Sequence, residues 1–153
     1  MSARKKILIT SGGTFEKWDN VRGHTNLSKG TIGSHFADYA YKNGLDVIYM
    51  HGIFTKLPKC CNEIKLVPFD GIEDLQEKVR QIILSEKIDI VIMAVAGSDW
   101  LVDKIYDQEG KEILKDQKIP SDVPPIIHFR KAPKILSQIK TSLTLLTSTV
   151  SSG

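Results

Sequence analysis

A glycine pair, Ser11-Gly12-Gly13-Thr14, follows a short apolar stretch. Glycines at such a point let backbone approach a ligand, or simply allow a tight turn. Further on, Asn26-Leu27-Ser28-Lys29-Gly30-Thr31-Ile32-Gly33 puts two glycines at the start of a helical pattern. The first N–H groups of a helix lack intrahelical partners and its dipole favours negative charge, so this start suits an anion, with Lys29 adding a point charge. The plainer alternative is that Ser28 only caps the helix. Between the two glycine segments lie Arg22, which can fork onto a carboxylate or phosphate, and Asn26, which offers both donor and acceptor. In Ala94-Val95-Ala96-Gly97-Ser98-Asp99-Trp100, small residues such as Ala96 let a planar ring lie against backbone. Asp99 could there accept from a base amino group or a ribose hydroxyl, or serve only as a turn residue. Lys118 sits in a long polar stretch, either simply solvated or carried by a lid that closes over phosphates.

Other chemistries lack their residues. Neither G-x-G-x-x-G nor G-x-x-x-x-G-K-[ST] occurs. The histidines form no Ser-His-Asp order and no H-E-x-x-H; His35, His51 and His128 read as structural. Cys60 and Cys61 are adjacent, a spacing that suits neither a mutual bridge nor a metal, and read as reduced loop thiols, which favours the cytoplasm. No metal-ligand set is expected. The residues point to anion and nucleotide binding more than to acid–base or nucleophilic catalysis.

The elements that must position these groups read as an open α/β sheet. The 153 residues suit one domain, and 41% hydrophobic with 25% charged residues is a globular balance. A net charge of +3 from scattered basic residues does not argue for nucleic acid, and no apolar run approaches a membrane span. Strands are expected at Lys6–Thr10, Asp46–His51, Ile64–Pro68 and Ile88–Ala96, the last the most apolar and hence central. Helices are expected at Gly30–Asn43, with Ile32, Phe36, Ala37 and Ala40 on one face, and at Gly71–Lys87, with Ile72, Leu75, Val79, Ile82 and Ile83 on one face. Residues 98–125 read as a flexible lid-type loop, Ile126–Phe129 as a short strand, Pro133–Ile139 as a short helix, and Leu143–Leu146 as the start of a strand. Strands alternating with helices imply a mostly parallel sheet with helices on both faces, and ligands beyond the carboxyl ends of its strands. Three segments should meet there: Ser11–Gly33, Ala96–Asp99 and the loop after Trp100.

Several of these pieces together resemble a family. Ile7-Leu8-Ile9-Thr10-Ser11-Gly12-Gly13-Thr14, then Asp19-Asn20-Val21-Arg22, then Thr25 to Gly33, is similar to the N-terminal signature of phosphopantothenate–cysteine ligases. Met93 to Trp100 resembles the family's second signature, with Gly97 as an extra residue. Lys118-Ile119 resembles the start of its lid segment, and Arg130 to Leu136 its K-x-P-x-I-L helix start. The resemblance runs in order from Lys6 to about Lys140. It implies a Rossmann-like fold over residues 1–140 and a homodimer. It also implies ligation of phosphopantothenate to L-cysteine through an acyl-nucleotidylate made from CTP (ATP in some branches), with Mg2+ on the phosphates. Carried over, Asn26 would hydrogen-bond the acyl intermediate and Arg22 would help hold the site. The Gly30 to Gly33 helix entry would cradle phosphate, and Gly12, Gly13, Thr14, Ser28 and Lys29 would join it in binding nucleotide or phosphate. Ala96 and Asp99 would meet the nucleotide, and Lys118 would close onto the triphosphate, from the same chain or across the dimer.

The family's later G-F-K-x-E-like strand and A-N segment are not visible. Residues 141–153, rich in Ser and Thr, are expected to be disordered or truncated. Alternatives are a catalytically incomplete nucleotide-binding fragment that ligates poorly, and an NAD(P)-dependent Rossmann reductase, against which the missing glycine fingerprint and missing Tyr-x-x-x-Lys pair argue. A flavoprotein decarboxylase lacks a matching His or Cys motif.

Overall fold

Ile7, Leu8, Ile9 and Thr10 favour extended backbone, and their neighbours in space are strands of the same kind. The computed structural model describes residues 4–115 and 117–135. In chain order its elements are β1 (Lys6–Gly13), β2 (Phe15–Lys17), β3 (Gly23–Thr25), α1 (Thr31–Lys42), β4 (Asp46–His51), β5 (Lys65–Pro68), α2 (Ile72–Ser85), β6 (Ile90–Ala96), β7 (Trp100–Tyr106), β8 (Glu112–Ile113) and β9 (Ile126–Lys131). The main sheet is parallel in the order β5-β4-β1-β6, with Leu8 opposite Ile48 and Val91. The strands β2 and β3 form a separate antiparallel hairpin, and β8-β7-β9 a small antiparallel sheet.

The two-residue period of β1 and β4 divides the core. Leu8, Ile48 and Met50 meet the buried face of α2, made by Ile72, Leu75, Val79, Ile82 and Ile83. Ile7, Ile9, Val47 and Tyr49 meet Ala37 and Ala40 of α1. The expected parallel sheet flanked by helices is therefore present, a Rossmann-like α/β architecture. No described helix is long and apolar enough to cross a membrane.

Four expectations change. The apolar strand β6 lies at an edge among the described residues, and β1 and β4 occupy the interior; its residues are only half-buried, because apolarity reports burial on two faces and says nothing of which neighbours pair. The strand β1 does not stop at the glycines but runs through them, Gly12 pairing with Val95 and Gly13 with Ala96. On α1 the buried residues are Gly33, Ser34, Ala37 and Ala40, while Ile32 is 68% and Phe36 43% exposed. A stripe of small residues brings this helix close to the sheet, and the larger apolar side chains rotate outward as a result. Finally, residues 98–125 are not a bare loop: they contain β7 and β8, and with β9 they make the antiparallel sheet. Its strands alternate too weakly for their sequence to show it, Trp100, Asp103 and Lys104 all being exposed. The helix expected at Pro133–Ile139 lies largely, and the strand at Leu143–Leu146 wholly, outside the described residues.

Candidate functional site

The parallel strands bring four segments to one edge of the sheet: the glycine end of β1, the start of α1, the loop after β4, and the end of β6. The loop after β4, Gly52 to Leu57, was absent from the expected set. Its signal was topological, since every loop leaving the carboxyl end of a parallel strand faces the same edge.

The start of α1 is not capped by Ser28. Its N-cap is Gly30, in the left-handed region at φ 79°, with no side-chain cap hydrogen bond and no acidic residue in the first turn. The first-turn N–H groups thus face the edge without a side-chain acceptor. Ser11 Oγ donates to Gly30 O at 3.1 Å, and Gly33 lies directly against the Ser11 side chain, so the helix start is seated on β1. Asn26 Oδ1 accepts the Ser28 N–H at 3.3 Å in an Asx turn. Asn26 is exposed, and its backbone carbonyl lies against Gly13.

A cavity of about 680 Å³ opens over this arrangement, lined by Gly13, Asn26, Ser28, Lys29 and Thr31, by Ile53, Phe54, Thr55 and Lys56, and by Phe15, Thr25 and Leu27. Its ionisable lining is two lysines and no carboxylate, so its field favours an anion. A second cavity, of about 510 Å³, has the opposite balance: Glu16, Asp19, Asp70, Glu73, Asp74 and Asp103 stand among its lining. There Glu16 Oε1 accepts the Ile72 N–H at 2.7 Å, at the start of α2, and burial pushes this carboxyl above its ordinary value. Charge, more than size, separates the two cavities.

Thr14 lies beneath the edge as a structural tie. It is fully buried, and its hydroxyl accepts the Ser98 N–H at 2.9 Å while its own N–H reaches Ala96 O. This bond fastens the end of β6 to β1. Asp99 is exposed and lines a third groove, of about 480 Å³, with Met93, Val95, Trp100 and Lys131. Ala96 pairs with Gly13 in the sheet.

Arg22 and Lys118 form a separate group. The Asp19 carboxylate accepts the N–H groups of Val21 and Arg22 at 2.9 and 2.7 Å, making the turn of the β2–β3 hairpin. Its other oxygen accepts the Ile119 N–H at 3.2 Å, and Arg22 Nη2 donates to Ser121 Oγ at 3.4 Å. Asp19 thus ties the hairpin to the segment that carries Lys118, and neither Arg22 nor Lys118 lines the cavity that contains Asn26. Burial alone would raise the Asp19 carboxyl; the three backbone donors and the Arg22 charge outweigh it and hold the group below its ordinary 3.8. A depressed carboxyl stabilises the fold above the unfolded-state value and loses that contribution as pH falls through the folded one. Asp19→Asn should thus lower the melting temperature at neutral pH, and the gap to the parent should close as pH drops below about 3.8. A gap that persisted unchanged at pH 2 would show that the carboxylate charge is not what holds this turn.

Two more residues escaped the sequence reading. Trp18 Nε1 donates to His24 Nδ1 at 3.0 Å, which leaves the imidazole proton on Nε2, within 3.3 Å of Trp100 O and 3.2 Å of Ser98 Oγ. This links the hairpin to the β6–β7 corner. Cys60 is a free thiol; burial, then the Asp38 carboxylate, push it up to about 11, so it stays protonated and is no nucleophile.

Comparison with known proteins bears on this site. Residues 2–147 match the family described as the DNA/pantothenate metabolism flavoprotein C-terminal domain. The chain is 28% identical over 136 residues, 89% of its length, to the coenzyme A biosynthesis bifunctional protein CoaBC of Thermococcus kodakarensis, and covers 31% of that protein. It is 32% identical over 109 residues, 71% of its length, to the CoaBC of Bacillus subtilis, covering 26% of it. It thus spans about a third or less of the curated relatives it matches. Among solved structures, the DNA/pantothenate metabolism flavoprotein from Streptococcus pneumoniae superposes with a TM-score of 0.75 at 23% identity, over 92% of this chain and 65% of that one. The C-terminal domain of a CoaBC superposes with a TM-score of 0.66 at 27% identity, over 88% and 57%. A Cab2 mutant in complex with phosphopantothenate-cysteine superposes at 0.68 and 22% identity, over 88% and 59%, a likeness of fold. With residues 2–147 matched, this chain belongs to the family described as the DNA/pantothenate metabolism flavoprotein C-terminal domain.

Proposed function

We propose that this chain binds a nucleoside triphosphate and phosphopantothenate and carries the activation and ligation of the latter to L-cysteine. The observation that carries this reading is the uncapped start of α1 beside Gly12 and Gly13, under a cavity whose charged residues are Lys29 and Lys56. In the first step a carboxylate oxygen of phosphopantothenate attacks the α-phosphorus of CTP, or of ATP. The α–β phosphoanhydride bond breaks, pyrophosphate leaves, and an acyl-nucleotidylate forms. In the second step the amine of cysteine attacks the acyl carbon, the nucleoside monophosphate leaves with the electron pair of the acyl–oxygen bond, and the amine gives up a proton to yield the amide. Neither step needs a protein nucleophile; positioning and charge neutralisation carry both.

Asn26 donates its amide to the acyl-nucleotidylate, and the first-turn N–H groups of α1 with Lys29 take phosphate oxygens. Asp99, from the third groove, and Ala96, beside Gly13 at the sheet edge, meet the nucleoside. Arg22, on the hairpin, helps hold the site, and Lys118, on the neighbouring segment, closes onto the triphosphate in its own chain or in a second protomer of a homodimer. Magnesium arrives on the nucleotide's phosphates as part of the substrate, which suits a cavity lining that offers no carboxylate of its own. The test is pyrophosphate release from purified chain with magnesium, comparing CTP with ATP, with and without phosphopantothenate. Release that depends on phosphopantothenate supports the reading and identifies the nucleotide. A folded chain that neither releases pyrophosphate nor binds either nucleotide overturns it.

A further inference from the structure

The loop after β4 is built too firmly to be a simple connection. Tyr49, fully buried in the core, sends its hydroxyl to the Lys56 carbonyl at 2.7 Å. The Lys56 N–H donates to Lys29 O at 2.8 Å, which ties the loop to the residue that precedes the α1 cap. Gly52 N–H reaches Ser11 O at 3.3 Å. These three hydrogen bonds hold Thr55 in one place, and that place is between glycines. A Cβ on Gly12 or on Gly30 would collide with the Thr55 side chain, and both glycines have positive φ. Gly12, near the end of β1, and Gly30, at the α1 cap, therefore close around a threonine, whose hydroxyl takes part in no protein hydrogen bond among the described residues.

A Cβ on Gly12 would meet Thr55, and one on Gly13 would meet Asn26, so these two residues stand against adjacent glycines of the pair. A polyphosphate crossing the glycines with its α-phosphorus beside Asn26 would carry its terminal phosphates toward Thr55 and Lys56.

We infer that Thr55 and Lys56 grip the terminal phosphates of the nucleoside triphosphate, the part that leaves as pyrophosphate. The inference rests on the functional reading above. The loop acts as the leaving-group side of the site: the Thr55 hydroxyl donates to a phosphate oxygen and the Lys56 ammonium neutralises charge that grows there as the α–β bond breaks.

The test measures dissociation constants by calorimetry for CTP, ATP, CMP, AMP and inorganic pyrophosphate, each with magnesium, on the chain and on Thr55→Val and Lys56→Gln. Valine keeps the branched shape that fits between the glycines, and Lys56 is exposed, so both variants should melt with the parent. The expected result is that each variant loses about tenfold in triphosphate and pyrophosphate affinity, the scale of one hydrogen bond to a charged oxygen, while monophosphate affinity is unchanged. Triphosphate affinity equal to the parent's in both variants overturns the assignment, as does an equal loss for mono- and triphosphates. A parent chain that binds pyrophosphate through these residues but no nucleotide leaves the anion site standing and sinks the nucleotide reading. A parent that binds none of the five overturns both.

Discussion

Replacing Asn26 by aspartate should lower turnover about a hundredfold, the scale reported for loss of one donor to a developing charge, while nucleotide affinity stays within about threefold. The substitution is nearly isosteric. An aspartate oxygen can still accept the Ser28 N–H, so the Asx turn and the start of α1 survive. What is lost is the amide donor, and a carboxylate stands in its place. Asn26 is exposed, so solvent and salt screen the new charge over most of its surroundings, including the helix start and the lysines. In the proposed reaction the damage should fall on the acyl-nucleotidylate, to which Asn26 is assigned as donor. Stopped-flow nucleotide binding beside steady-state amide formation checks this. A loss of affinity as large as the loss of rate would mean that Asn26 only helps bind the nucleotide.

Gly13→Ala should act on the same residue from below. A Cβ at Gly13 would lie 2.5 Å from the Asn26 carbonyl oxygen and 3.3 Å from the Asn26 Cβ. Gly13 is buried and paired with Ala96, so the strand has little room to move, and the Asn26 backbone must give way. Overpacking of this kind costs about 1–3 kcal/mol, or a melting temperature lower by about 5 °C in a chain of this size. Displacing Asn26 by a fraction of an ångström or more should cost turnover far beyond that loss, about a hundredfold at a temperature where the variant is fully folded. Gly44→Ala is the matched control. Its φ of 80° makes alanine strained there too, but no atom lies within 4 Å, so stability should fall without the excess loss of turnover. Equal turnover in Gly13→Ala and Gly44→Ala would separate the glycine pair from the chemistry.

The sequence showed some elements clearly and others not at all. On α2 the spacing of Ile72, Leu75, Val79, Ile82 and Ile83 named the buried face correctly, because large side chains at helical period leave one way to pack. On α1 the same rule chose Ile32 and Phe36, and both are exposed. There the small side chains decide, since Gly33, Ser34, Ala37 and Ala40 permit a closer approach to β1 than any leucine-lined face would. Hydropathy ranks side chains by size and polarity, and close approach of two backbones is a property it does not contain. The antiparallel sheet of β7, β8 and β9 was hidden for a related reason: short, half-solvated strands carry little alternation, and their pairing is visible only between residues far apart in the chain.

For the site, the sequence by itself determined the chemistry on offer: glycines at a strand end, a lysine just before a glycine-led helix start, and an amide at Asn26. These are local facts, legible because backbone freedom and helix-end polarity depend on a few consecutive residues. Only the tertiary structure decided how those groups are divided. It put Asn26, Lys29, Thr55 and Lys56 around one cavity, sent Asp99 to a neighbouring groove, and bound Arg22 to the Lys118 segment through Asp19. Which loops share a cavity depends on strand order and register, set by long-range pairing across the sheet, and no spacing along the chain encodes it directly.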